Sequence, residues 1–402
     1  MGMTSLKKFA MGTGAAGAIE VTGIQVHSVA VSAATNWMFL RISTREGLVG
    51  WGELTLRAHE PVLRAVVEQL RSQIIGSPIS ALSKLRRAFP SLPSGRAGNA
   101  VLSALDQALC DLEGQAVGLP IYAAHGAVQR SLTGYATVNR GVRERTPRGF
   151  AQAAADAVAA GFRGVKIMPF DRVVPATADS ELGRAEIANA VSRLEAVREA
   201  IGSGIALMAD CHWRLSHKAA LAFLDAVAPL RLEWLECPTP EGADWLEGLK
   251  NIRRAANKAG VKLAGGENAV GVTGLFSVIT AGVYDIVMPD IKYCGGYGEF
   301  VRIAELADRF DIEISPHNPS GPIAHIHTLH LCTIIELSGL VEQQFAESDL
   351  FERIVDGAAT GLVRGFFIAP PRPGIGVKVC ETTLFELSRL PGDLNVSDPS
   401  FA

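Results

Sequence analysis

Three short apolar runs, IALMAD, LEWLE and KLAGGE, lead into the acids Asp210, Glu236 and Glu267. Each is too short for a globular helix and long enough for a buried strand, and each is followed by a segment with helical spacing of apolar residues. The same alternation runs from Leu132 onward. LTGYATVNR precedes FAQAAADAVAAG, FRGVKIM precedes a helical stretch over about 181–201, IALMAD precedes KAALAFLDAVAPL, and LEWLE precedes DWLEGLKNIRRAANKAG. KLAGGE, YDIVMPD, FDIEISPH and GLVEQQ continue the series. Placing strand ends at Asn139, Lys166, Asp210, Glu236, Glu267, Asp290, His317 and Glu342 gives eight units, mostly about 25 to 30 residues apart, as the βα repeats of a TIM barrel require. Functional side chains of such a barrel gather at the C-terminal ends of its strands.

Upstream, the period is two. EVTGIQVHSVAV, a polar SAATN, WMFLRIST, an REG turn and LVGWGELT read as a small antiparallel meander. The spacing then turns helical over 61–75 and 97–117; VLSALDQALCDLEGQAVG stops on Gly118, with Pro120 just beyond. Residues 19–130 are therefore expected to form an α+β domain and residues 131–364 the barrel. The tail over about 365–402 is expected to return to the first domain. Residues 1–18 begin basic and continue in small and apolar residues, a faint resemblance to an export signal; without a twin arginine or a strong apolar core they read as a flexible segment, with export the lesser alternative.

Composition narrows the partners. A chain of 402 residues suits a barrel plus a second domain. The net charge of -3 provides no basic field for nucleic acid or an anionic membrane, and no apolar run reaches the roughly 18 residues of a membrane span. The expected partner is a small molecule recognised locally. The six cysteines lack CxxC pairs or zinc spacing, and several sit in apolar runs, which reads as reduced, buried thiols in cytoplasm.

Three carboxylates converging on one rim are costly to bury without a positive partner, which points to a hard divalent cation, Mg2+ first. One rim acid alone is ordinarily a satisfied rim residue; an ionisable residue at seven of eight strand ends is harder to assign to chance. Asp290 beside His317 would set the tautomer of the ring and raise its basicity, making His317 a candidate general base. Lys166 could act as a base or bind a carboxylate. His212, two residues past Asp210, is expected on the same face by strand alternation. His325, His327 and His330 read as packing or surface histidines.

The order and spacing of Lys166, the Asp210/Glu236/Glu267 trio, the Asp290/His317 dyad and Glu342 resemble the enolase superfamily, in its mandelate racemase and muconate lactonizing enzyme-like branch. SALDQALCDLEGQAVGLPIY resembles the helix that precedes the barrel in that branch, and LECP, GGEN, PDIKYCGG and PHNPSGPIA resemble its site segments. The resemblance implies an α/β modified TIM barrel, (β/α)7β, with an α+β capping domain built from both chain ends. It implies Mg2+ on Asp210, Glu236 and Glu267, binding a substrate carboxylate while a base removes the α-proton to form an enediolate. Glu342 would hydrogen-bond the far carboxylate oxygen, with Glu347 a weaker candidate for that place.

One departure separates the reactions. The branch commonly carries Lys-x-Lys on the second barrel strand, where this chain has Lys166-Ile167-Met168; a two-base racemase is disfavoured. His317 and His212 together resemble the acid-sugar dehydratases with Asp-x-His on the third strand, whose product is a 2-keto-3-deoxy acid. Which histidine is base and which acid stays open, and Lys166 is assigned to orienting the carboxylate or assisting as an acid. Loops over His27–Trp37 and Trp51–Pro61 resemble the specificity loops of the family, with Trp37, Arg57 and His59 as candidate substrate contacts and Trp37 equally open to packing at a strand start. Arg214 is a candidate for a distal hydroxyl or carboxylate, or for a bridging ion pair, and Asn318 joins the substrate set beside His317. The expectation is a cytoplasmic, homo-oligomeric, Mg2+-dependent hydro-lyase acting on a sugar acid. A cycloisomerase or epimerase with the same enediolate chemistry is the alternative.

Overall fold

The computed structural model describes residues 19–388, apart from Ala34 and residues 83–88, 90–91, 93 and 357–361. Strands β1 (Val21–Ala30), β2 (Asn36–Thr44) and β3 (Val49–Glu53) form an antiparallel sheet in the order β1-β2-β3. The two-residue period of β2 divides its side chains between two cores. Met38, Leu40 and Ile42 pack with Leu63, Val67 and Leu70 of helix α1 (Glu60–Ile74). Trp37 and Phe39 join the apolar cluster that continues into the barrel. This sheet is therefore buried on both faces.

Helix α2 (Arg96–Val117) lies directly on β3. A Cβ at Gly52 would meet the carbonyl oxygen of Ala104 at 2.1 Å, and one at Gly50 that of Ala108 at 2.2 Å, so glycine is required for this approach. Side chains of α2 bond the strand: Asp111 accepts the Trp51 N–H at 3.0 Å and Gln107 the Glu53 N–H at 3.1 Å.

The barrel strands are β4 (Ser131–Thr137), β5 (Gly164–Ile167), β6 (Ala206–Asp210), β7 (Trp234–Glu236), β8 (Lys262–Gly265), β9 (Ile286–Val287), β10 (Glu313–Ile314) and β11 (Leu340–Gln344). They are parallel and hydrogen-bonded in the order β10-β9-β8-β7-β6-β5-β4-β11. Helices α3 (Pro147–Ala159), α4 (Glu181–Ile201), α5 (His217–Val227), α6 (Leu246–Lys258), α7 (Gly271–Ala281), α8 (Tyr297–Asp308) and α9 (Pro322–Ile334) alternate with them, one after each strand except β11. This is the (β/α)7β arrangement. The β10–β11 seam is close, with Ser315 Oγ donating to Leu340 O at 2.8 Å.

Alternation also stacks the barrel interior. Tyr135, Met208, Trp234, Ala264, Ile286 and Met288 form one buried apolar cluster. Two residues further along their strands, Met208 leads to Asp210 and Trp234 to Glu236, so an apolar layer lies beneath a layer of carboxylates. Glu53, buried at the end of β3, accepts N–H bonds from Gly321 and Ala324, both at 2.9 Å, and so caps the N-terminus of α9 from the other domain.

The tail divides between the two domains. Strand β12 (Phe366–Ile368) pairs antiparallel with the first half of β4, so this part belongs to the barrel. Helix α10 (Glu381–Leu387) then returns to the sheet domain, where Glu381 meets Arg41 at 3.2 Å. Residues 1–18 and 389–402 lie outside the described residues. Five of the six cysteines are buried and all six are free thiols. Among the described residues, no helix is long and apolar enough to cross a membrane.

Candidate active site

Asp210 and Glu236 end β6 and β7, and Glu267 stands two residues past β8, after Gly266 at φ 89°. One oxygen from each carboxylate fits within a cluster 4.8 Å across, and all three side chains are buried. Burial pushes Asp210 up to about 6, Glu236 up to about 7 and Glu267 well above its ordinary value. Lys166 from β5 offsets part of this charge, with Nζ 2.7 Å from Glu236 Oε1 and 2.9 Å from Glu342 Oε1. Burial alone would lower the lysine, but the charges of Glu236 and Glu342 outweigh it and keep the ammonium. Glu267 Oε2 is buried without a hydrogen-bond partner. Three crowded hard oxygen donors, one of them orphaned, fit a divalent cation of the Mg2+ type.

His317 and Asp290 are brought together, but not at strand ends. Each lies three residues beyond a two-residue strand, β10 or β9. His317 Nδ1 is 2.8 Å from Asp290 Oδ2. Asp290 also accepts the Lys292 N–H at 2.7 Å and Lys292 Nζ at 2.6 Å. Burial works to raise Asp290, yet Lys292 and His317 overcome it and hold the carboxyl below its ordinary value. An ionised Asp290 accepts the proton on Nδ1 and leaves the lone pair on His317 Nε2. That nitrogen lies 3.6 Å from Glu267 Oε1, too far for a hydrogen bond and close enough to face the trio.

His212 reaches the site by a different route from the one strand alternation suggests. Strand β6 stops at Asp210, and His212 and Trp213 follow with φ of 48° and 56°, two consecutive left-handed residues. The turn brings His212 Nε2 to 3.2 Å from Asp210 Oδ2, while its backbone N–H donates to Oδ1 at 2.8 Å. Burial pushes the ring down to about 3, so it is neutral at neutral pH. The two histidines thus flank the acid cluster, one against Asp210 and the other facing Glu267.

Glu342 lies in the middle of β11, not at its end. Its carboxylate accepts from Thr137 Oγ1, from the Asn318 N–H at 2.8 Å and from Lys166. Burial acts to raise it, but Lys166 and His317 bring it down to about 2. An ionised carboxylate has no proton to donate to a substrate carboxylate. Glu342 therefore anchors Lys166. Glu347 instead joins Ser32 at 2.9 Å to Arg140 at 3.4 Å.

The substrate candidates separate. A cavity of about 340 Å³ opens above the trio, lined by Thr35, Asn36, Thr55 and Arg57 of the sheet domain and by the barrel rim. Arg57 is on it. Trp37 and His59 are not among its lining residues. Trp37 is an interior residue of β2 packed against Phe39 and Phe351, and His59 Nδ1 meets Arg57 O at 2.8 Å at the start of α1. Arg214 donates to the carbonyls of Asp171 and Val173 at 3.1 and 3.2 Å, supporting the loop after β5. Asn318 is buried, with Nδ2 on Glu342 O at 3.0 Å and on His325 Nδ1 at 2.9 Å. His325, His327 and His330 are buried packing residues, none at the surface.

Residues that sequence reasoning passed over also line the cavity: Arg96, Arg140, Lys292 and Tyr293. Arg140 stands one residue past the strand end placed at Asn139, and Lys292 alternates with Asp290, so both had a positional signal. Arg96, the first residue of α2, had none. Met168 lines the cavity at the end of β5, where the related branch commonly carries a second lysine.

Residues 149–383 match the family described as enolase C-terminal domain-like, and residues 18–126 match the mandelate racemase/muconate lactonizing enzyme N-terminal domain. The chain belongs to the enolase superfamily, in its mandelate racemase/muconate lactonizing enzyme branch. It is 30% identical over 370 residues to a D-galactonate dehydratase of Verminephrobacter eiseniae, covering 88% of this chain and 91% of that protein. A D-galactonate dehydratase of Xanthomonas oryzae pv. oryzae is 30% identical over 369 residues, covering 90% and 93%. The mandelate racemase/muconate lactonizing enzyme structure from Sulfitobacter sp. superposes with a TM-score of 0.82 at 23% identity over 93% of this chain and 97% of that one. A mandelate racemase/muconate lactonizing enzyme-like protein from Rubrobacter xylanophilus gives 0.81 at 26% identity over 92% and 98%.

Proposed function

We propose that this chain is a hydro-lyase that dehydrates a sugar acid to a 2-keto-3-deoxy acid, with Mg2+ held by Asp210, Glu236 and Glu267. The observation that carries the reading is the placement of two histidines beside one acid cluster, His317 backed by Asp290 and His212 against Asp210. Names of relatives that are 30% identical point the same way. When bound, Mg2+ supplies positive charge next to the substrate carboxylate and lowers the cost of a second negative charge there.

The protein residues then divide the work. Lys166 holds one carboxylate oxygen. His317 Nε2 takes the α-proton, and Asp290 stabilises the imidazolium that results. Burial, with the charges of Arg214, Lys166 and His317, keeps the free His212 ring neutral; a bound substrate carboxylate raises its proton affinity, and the protonated ring delivers to the departing β-hydroxyl. The α C–H and β C–O bonds break, a C=C bond forms, water leaves, and the enol tautomerises to the ketone. Met168 offers no proton at the place of a second basic lysine, which weighs against racemisation.

The test is a screen of sugar acids with Mg2+, read by semicarbazide absorbance and repeated in D2O with NMR. Keto-acid formation from one or two stereoisomers is expected. Solvent exchange of the α-proton without keto acid would replace this reading with an epimerase, and a lactone product with a cycloisomerase.

A further inference from the structure

The cavity carries more positive charge than α-proton chemistry requires. Its buried lysines are matched: Lys166 lies between Glu236 and Glu342, and Lys292 lies on Asp290. The cavity-lining acids, Asp210, Glu267 and Glu342, belong to the metal cluster and the Lys166 anchor. At the mouth, three guanidinium groups, Arg57, Arg96 and Arg140, line the same cavity.

Two of them are placed by the barrel loops. Arg96 Nη1 is held at 2.5 Å by Asn268 Oδ1, the residue after Glu267, and its guanidinium lies 6.0 Å from the Tyr293 ring centroid. Arg140 Nη1 donates to Pro319 O at 3.0 Å, two residues past His317, and shares Glu347. Both act electrostatically on the Tyr293 phenol, which also lines the cavity. Arg140 meets one acid, Glu347, at 3.4 Å. Asn268 sets Arg96 through a neutral amide, leaving its charge uncompensated by that contact. The neutral end of an aldonic acid has no use for several guanidinium groups, whereas a planar carboxylate matches their fork geometry.

Resting on the dehydratase reading, we propose that the substrate is a sugar diacid whose distal carboxylate is held at the cavity mouth by Arg96 and Arg140. The same cavity then holds one carboxylate at the trio and Lys166 and the other at the arginines, which sets the length of the chain between them. The proposal separates this protein from relatives named for D-galactonate, a monoacid.

The experiment pairs aldaric acids with aldonic acids of the same stereochemistry, with Mg2+ present. Binding is read by calorimetry and turnover by semicarbazide, separately. At least one diacid is expected to bind about tenfold or more tightly than its monoacid partner, the value of one charged hydrogen-bonded pair. Arg96→Gln should collapse that ratio toward one through KM and Kd, and Arg140→Lys, which keeps charge but loses the fork, should lower it in part. Arg302→Gln, on the exposed face of α8, should leave it as in the parent. Diacid-selective binding without keto acid from any compound would sink the dehydratase reading and leave the distal site standing. Equal or better use of monoacids, or a ratio untouched by Arg96→Gln, would overturn the distal site and leave dehydration standing; no binding of any acid would overturn both.

Discussion

Lys166 places its ammonium 2.7 Å from Glu236, so one buried cation is shared between a carboxylate of the acid cluster and Glu342, 2.9 Å away. Removing one partner of a buried pair leaves an uncompensated charge, at a cost of about 3–5 kcal/mol. Lys166→Met should therefore lower the melting temperature by about 10 °C without metal and abolish turnover. Added Mg2+ should restore part of the stability and none of the activity. A variant that melts with the parent would show that the lysine charge is not needed to hold these acids together.

Burial first, and then neighbouring carboxylate charge, raises Asp210, Glu236 and Glu267, so an added cation would offset the cost of ionising them. A ligand that binds only the folded state stabilises it, by about 2.7 kcal/mol at a hundred times its Kd. Mg2+ should raise the melting temperature by several degrees, and EDTA should reverse the effect. Asp210→Asn and Glu267→Gln should each remove most of the shift while folding normally. A metal-induced shift of parental size in Glu267→Gln would place the ion elsewhere.

His317 Nε2 faces the trio with Asp290 on the opposite nitrogen, the arrangement that the proposed role of base needs. Positioned proton transfer contributes about 10²–10⁴-fold. His317→Asn should lower kcat by at least that factor with the Mg2+ melting shift intact, and it should stop exchange of the α-proton with D2O. Exchange persisting at the parental rate would move the base to His212.

The barrel and its acid cluster were legible because a buried strand of three to five residues and a following helix leave little choice of register, and the acids fall at or within two residues of the strand end. What was not legible depended on turns and close packing. Asp290 and His317 sit in loops beyond two-residue strands and Glu342 sits inside a five-residue one, yet all approach the acid cluster, Asp290 through His317 and Glu342 through Lys166. His212 required two left-handed residues that no hydrophobic period announces. Trp37, at the start of the run WMFLRIST, was open to substrate contact or to packing at a strand start; in β2 its side of the strand faces the apolar interior, so packing holds. Arg214 was drawn away by unpaired carbonyls at Asp171 and Val173, a demand that exists only once the loop after β5 is folded.

Asp111 joins three parts of the capping domain. Its carboxylate accepts the Trp51 N–H at 3.0 Å from β3, the Ile375 N–H at 2.9 Å from the tail and Gln115 Nε2 at 2.8 Å. Burial outweighs these bonds and raises it from 3.8 to about 6. A folded pKa above the unfolded one means that the native state binds more protons between the two values, so this group's contribution to stability falls as pH rises through about 4 to 6 and is level above. The change amounts to roughly 3 kcal/mol. Asp111→Asn carries no such titration, so the parent should lose stability relative to the variant between about pH 4.5 and pH 6, with a constant difference from about pH 6.5 to 8. Urea melts of both proteins across that range measure the difference directly. A difference that is flat below pH 6, or that grows in favour of the parent as pH rises, would mean that the three donors and not burial set the charge of Asp111.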